Sequence, residues 1–303
     1  MAKKIKNVLT TRETAQLFKV HESSVKRWCE SGELNFELTE GGHRRLKWTD
    51  LNQFSVQKNM SHSFMEFNSY EAEVYSVLGR LKVTFQYDEC IQMIQTWFSD
   101  NKSSMLVPLL KKLIIEEKFN FAEMCDKFVF KHLEAIGDFW QKGVISISEE
   151  HRVSQEWIQS LSFLRYQLLE NYNPKTDKKV LLACGDQNAH EIALMCLRII
   201  LEKYDYEITY LGTSVPAEDI IDFQRKEGYQ LVAISFSADS HVNEILNQLK
   251  IFHDQPDVAQ MNLVIGGQNT THINTNLFSN FKNFQTFQSL TQFEKWIRQH
   301  ADD

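Results

Sequence analysis

The chain has 303 residues, 43% of them hydrophobic and 12% aromatic, enough for two or three domains with cores of their own. No run of 18 apolar residues occurs and the first residues carry no apolar leader segment, so the reading excludes a membrane span and a secretory signal and expects a cytoplasmic protein with no membrane partner. The net charge of −7 is unevenly spread: residues 1–60 hold 11 Lys and Arg against 7 Asp and Glu, a net of +4, which leaves −11 for the remainder. That asymmetry predicts a basic reading head on an acidic body.

Residues 10–18 predict a helix capped by Thr10, with Glu13 at capping-box spacing. A short turn through Val20, the expected buried plug, leads to a second helix, Glu22–Glu30. There Val25 and Trp28 face inward, and Lys26 and Arg27 face outward. The pattern is a helix-turn-helix, whose second helix suits the major groove. Thr39–Arg45 contains a Gly-Gly turn followed by His43, Arg44 and Arg45, a basic hairpin wing suited to phosphate and minor-groove contacts. Leu46, Trp48, Leu51 and Phe54 are expected to tie it to the core. Val25–Trp28 and Gly41–Arg45, in this order and spacing, resemble the MerR-type winged helix-turn-helix. That resemblance implies double-stranded operator DNA as partner, with Thr11, Ser23, Ser24, Lys26, Arg27, His43, Arg44 and Arg45 as contact residues. One small head offers too little interface for tight specific binding, so self-association into a dimer or tetramer is expected. No sustained heptad is present to drive it.

Residues 1–57 thus form the head and 58–70 a linker. Residues 71–173 form a four-helix bundle with helices near Tyr87–Phe98, Leu106–Ile115, Phe121–Trp140 and Ser148–Leu169. Residues 174–303 alternate strand and helix: strands at 178–184, 207–211, 231–235, 262–266 and 284–287, helices at 189–204, 216–227, 241–252 and 290–299. The fold class expected is therefore multidomain α and α/β, ending in a flavodoxin-like, doubly wound parallel sheet with its ligand site at the carboxyl ends of the strands. The cysteines Cys29, Cys90, Cys125, Cys184 and Cys196 are odd in number and contain no Cys-x-x-Cys pair, as in reduced thiols without a zinc or disulfide framework.

Two constellations bear on the ligand. Trp140 is followed after a Gly143 turn by Glu150 and His151, a flat aromatic beside a carboxylate and an imidazole. Asn188-Ala-His190-x-x-Ala193, Ser235-Phe-Ser237 and Gly266-Gly267 stand at successive strand ends. The first resembles the Trp-x9-Glu-His signature of the adenosylcobalamin-binding photoreceptor repressors of the CarH, CarA and LitR type. The second is similar to the family's cobalamin pattern, with Asn188 in place of an acid, Ala193 of a Gly and Ser237 of a Leu. The resemblance implies adenosylcobalamin as cofactor and His190 as its axial cobalt ligand. Trp140, Glu150 and His151 would cover the adenosyl side, and Asn188, Ala193, Ser235, Ser237, Gly266 and Gly267 would line the lower side. It further implies a non-enzymatic repressor whose assembly and DNA binding respond to the cofactor and to light. Gln141 stands where the family's light sensors have a His, and an amide is a poor cobalt ligand. Two other readings stay open: a MerR-type regulator whose cobalamin domain has become degenerate, and a corrinoid carrier for methyl transfer.

Overall fold

The computed structural model describes residues 8–18, 20–58, 71–169, 174, 178–237 and 240–300. The expected linker, apart from Lys58, lies outside the described residues, as do the side chain of Trp48 and the turn residue Lys19. The chain divides into two compact units, Met1–Leu109 and Leu110–Asp303.

In the first unit, β1 (Val8–Thr10) leads into α1 (Thr11–Leu17), and α2 (Glu22–Glu30) follows after a turn. The cap of α1 is reciprocal: Thr10 N–H donates to Glu13 Oε2 at 2.6 Å, and Glu13 N–H donates to Thr10 Oγ1 at 3.1 Å. The hairpin β2 (Glu37–Leu38) and β3 (Arg44–Lys47) turns through Gly41 and Gly42, and β1 pairs with the other side of β3. α3 (Trp48–Gln57) closes the head. Leu9, Val25, Leu34, Leu46, Leu51 and Phe54 form its core, and the Trp28 ring packs on Phe18 and Phe54. Val20 is only half-buried.

A helix the sequence reading did not expect, α4 (Glu71–Thr84), packs on α1, α3 and β1. Its residues Val74 to Gly79 are all buried, so it has no polar face over that stretch and no helical period to read. α5 (Asp88–Ser99) belongs to the same unit, and α6 (Leu106–Lys111) runs across the boundary. The helices of 71–173 are therefore shared between the units.

In the second unit, α7 (Phe121–Met124), a π-helical turn (Cys125–Val129) and α8 (Phe130–Gln141) form one continuous helical run, followed by α9 (Ile147–Leu168). Five parallel strands come next: β4 (Lys179–Cys184), β5 (Glu207–Gly212), β6 (Leu231–Ser235), β7 (Asn262–Gly266) and β8 (Asn283–Phe287). Their order across the sheet is β5-β4-β6-β7-β8, the flavodoxin-like order. α11 (Ala217–Glu227) and α12 (Val242–His253) pack on one face against Leu181, Ala183, Val232, Ile234 and Ile265. α10 (Ile192–Lys203) and α13 (Leu290–His300) take the other side, and α7 and α9 pack on them in turn. The chain order reverses between β4 and β6, so the switch point of the sheet lies at the loops after those two strands.

Candidate cofactor site and nucleic-acid interface

The loop after β4 carries His190 outside the helix, because α10 starts at Ile192 and not at Ala189 as the sequence reading has it. Asn188 delays it. The Asn188 Oδ1 accepts the His190 backbone N–H at 2.9 Å, an Asx turn that competes with helix. The Asn188 Nδ2 donates to the Ser235 carbonyl at 2.9 Å, and the Asn188 carbonyl accepts Ser214 N–H at 3.0 Å. With 2% exposure, this one residue ties the loop to the ends of β6 and β5. Further along, Glu191 accepts from Tyr210 Oη at 2.8 Å, and Asp186 N–H donates to Gln248 Oε1 at 3.1 Å. Burial first, then this bond to Glu191, pushes the Tyr210 hydroxyl well above its usual range, so it stays a donor. Burial also pushes the Cys184 thiol up to about 12, leaving it a neutral thiol.

His190 itself is exposed at this switch point. Its neighbours are closely packed: Phe236 is buried, and a Cβ on Gly185 would overlap its ring. Gly267, at φ +139°, leaves no room for a Cβ beside the Phe236 carbonyl, so the fold itself demands that glycine. Gly266 is half-buried and would tolerate a Cβ at an ordinary 3.6 Å from the Phe287 carbonyl. Ser235 is buried, Ala193 is half-buried, and Ser237 shares a hydroxyl hydrogen bond of 3.0 Å with Ser240. His190 is thus an exposed residue on a loop that Asn188 pins to the ends of β6 and β5.

The second constellation lies on the α8–α9 turn. Gly143 takes φ +68°, and Ser146 caps α9 in a capping box with Glu149. Trp140 remains 43% exposed at the last turn of α8, with Phe139, Val144 and Ile147 exposed around the same turn. Glu150 is half-buried: its Oε1 accepts from Ser154 Oγ at 2.7 Å and its Oε2 lies 3.6 Å from His151 Nε2. The His151 side chain is 69% exposed. Thus Glu150 and His151 are brought together. Among the described residues no hydrogen bond or ring contact joins either to Trp140.

Arg165, near the end of α9, forms ion-paired hydrogen bonds to Glu202, near the end of α10. His132, the other imidazole of this layer, is engaged elsewhere: its Nδ1 accepts the Trp157 indole N–H at 3.0 Å in full burial.

In the head, His43 and Arg27 are exposed, and Ser24 is half-buried. Ser23 is exposed and lies 2.8 Å from His21 Nδ1 through its hydroxyl. Thr11 and Lys26 both bind Glu22, each at 3.0 Å. Arg44 is less available than the sequence suggests: it pairs with Glu30 at 2.9 Å and lies 5.3 Å above the Phe36 ring. Arg45 donates to the Arg44 carbonyl.

Residues 8–54 match a helix-turn-helix domain family and residues 178–280 match the B12 binding domain family. The chain thus joins a helix-turn-helix domain to a B12-binding domain built on a five-stranded parallel sheet. It is similar to the HTH-type transcriptional repressor CarH of Myxococcus xanthus, with 31% identity over 85 residues, 28% of this chain. The match spans 27% of that repressor's length. Among solved structures, the monomethylamine corrinoid protein of Methanosarcina barkeri aligns at 15% identity with a TM-score of 0.49, over 65% of this chain and 95% of that one. A cobalamin-binding protein from Desulfitobacterium hafniense aligns at 16% identity with a TM-score of 0.38, over 70% and 98%. No helix among the described residues is long and apolar enough to cross a membrane.

Proposed function

We propose that this chain is a repressor that binds operator DNA through its helix-turn-helix head and is controlled by adenosylcobalamin held in its second unit. The observation that carries this reading is the exposed His190, on a pinned loop at the switch point of a B12-binding domain, in the same chain as a helix-turn-helix domain. His190 would hold the cobalt from below, and the α8–α9 turn with Trp140, Glu150 and His151 would cover the opposite face. Asn188, Ala193, Ser235, Ser237, Gly266 and Gly267 would form the floor. The cofactor, when bound, supplies a light-labile cobalt–carbon bond. The chain's part is to exclude water from it under Trp140 and to convert its presence into self-association that sets several heads on repeated half-sites. Gln141 offers an amide and no imidazole beside Trp140, and an amide is a poor ligand for recapturing the metal there.

Gel filtration of the whole protein with adenosylcobalamin, dark and illuminated, tests the reading. The expected result is corrin absorbance in the protein peak and a larger species in the dark, with His190→Ala losing the size change. Corrin that stays bound with no size change in either condition overturns control by assembly. Absence of corrin from the peak favours the alternative of a cofactor-independent regulator, for which the close packing of Phe236 on Gly185 and Gly267 is the supporting observation.

A further inference from the structure

Glu22 opens α2, the helix that would enter the major groove, and it is the one residue of that turn whose charge opposes DNA binding. Its two oxygens are used unequally. Oε1 takes both internal donors, Thr11 Oγ1 at 3.0 Å and Lys26 Nζ at 3.0 Å. Among the described residues nothing donates to Oε2. The carboxylate is therefore fixed in place through one oxygen and half-exposed, with the other oxygen unused. Lys26 and then Thr11 hold its pKa below the usual carboxylate range, so it remains ionised and acceptor-only. Lys26 also offsets its charge, and the pair can approach phosphates as a neutral unit. Exposed Ser23 and Arg27 lie on the same helix and supply the ordinary donors.

A fixed acceptor on the first turn of a major-groove helix has a specific complement. Guanine and thymine present acceptors there, which a carboxylate repels, and adenine presents its N6 amine beside the N7 acceptor, which repels it in part. Cytosine presents its N4 amine, the partner that Glu and Asp accept from. We propose that Glu22 is a base-reading residue of this head, accepting from a cytosine N4–H through Oε2, with Thr11 and Lys26 as the residues that position it. This rests on the DNA-binding reading given above.

The test is selection of sites from a randomised duplex library by the full-length chain, comparing wild type, Glu22→Gln and Lys26→Met, with thermal melting to confirm that each variant is folded. The wild type is expected to enrich a C·G pair at one position of each half-site. Glu22→Gln, whose amide donates as well as accepts, should lower discrimination at that position alone by about ten-fold or more and move the preference toward adenine. Its salt dependence should match the wild type, because no phosphate contact is lost. Lys26→Met should blunt the same preference and also reduce the salt slope. An unchanged base preference in Glu22→Gln, or equal weakening on every sequence, overturns the assignment. A wild-type chain that enriches no sequence overturns the DNA-reading proposal itself, whatever Glu22 does.

Discussion

The indole N–H of Trp157 ends on His132 Nδ1 at 3.0 Å, inside a pair of rings closed off from solvent. Burial drives the His132 pKa down to about 4 from its ordinary 6.5. The neutral ring carries its proton on Nε2 while Nδ1 accepts from Trp157. In the unfolded chain His132 takes up a proton below about pH 6.5, whereas the folded chain resists until about pH 4. Stability from this residue is therefore complete above pH 6.5 and is lost as pH falls toward 4, by about 3 kcal/mol in total. Urea midpoints measured across that window should fall for the wild type. In His132→Gln, which keeps an acceptor for Trp157 and cannot titrate, they should fall much less. Equal slopes would mean that other groups cause the loss.

The elements of the second unit are joined by caps and buried charges as well as by apolar packing. Asp126, on the π-helical turn between α7 and α8, accepts from the backbone N–H groups of Leu290 and Thr291, each at 2.9 Å, and from the Thr291 hydroxyl at 2.5 Å. It is the N-terminal cap of α13, supplied by a segment some 164 residues distant in the chain. The same helix buries Glu294, which accepts from Asn120 at 2.8 Å and from Lys203 at 3.0 Å. Asp126→Ala should cost about 1 kcal/mol and open the first turn of α13 to hydrogen exchange before the strands open. Unaltered protection at Leu290 and Thr291 would show that the cap is dispensable.

At the scale of the molecule, the helical layer and the sheet layer of the second unit share one further tie. Glu202 is 2% exposed and receives both Arg165 from α9 and Arg198 from its own helix. Arg165→Ala leaves that carboxylate with a single partner and should lower stability by about 2 kcal/mol. Because the tie lies far from the α8–α9 turn, corrin uptake should survive the substitution under conditions where the protein stays folded. A wild-type unfolding midpoint in Arg165→Ala would mark the pair as a passive contact. Loss of corrin uptake by a folded variant would mean that the far end of α9 helps position the Trp140 turn.

What the sequence alone determined is what depends on near neighbours. The Thr10–Glu13 cap, the Gly143 turn and the five strands were all legible, because capping, turn chemistry and apolar period act within a few residues. The pattern Asn188-x-His190 and the Gly266-Gly267 pair were legible as motifs, and so was the basic wing as a charge. Their roles were not. Asn188 holds the His190 loop through Ser235, 47 residues on, and Gly267 is required by the approach of the Phe236 carbonyl. Arg44 is drawn to Glu30, and α4 is hidden because its middle is buried on every side. Tertiary structure decided these because hydrogen-bond partners and close packing between distant segments exist only once the chain has folded. Local pattern records which groups are present, while their partners are chosen by the fold.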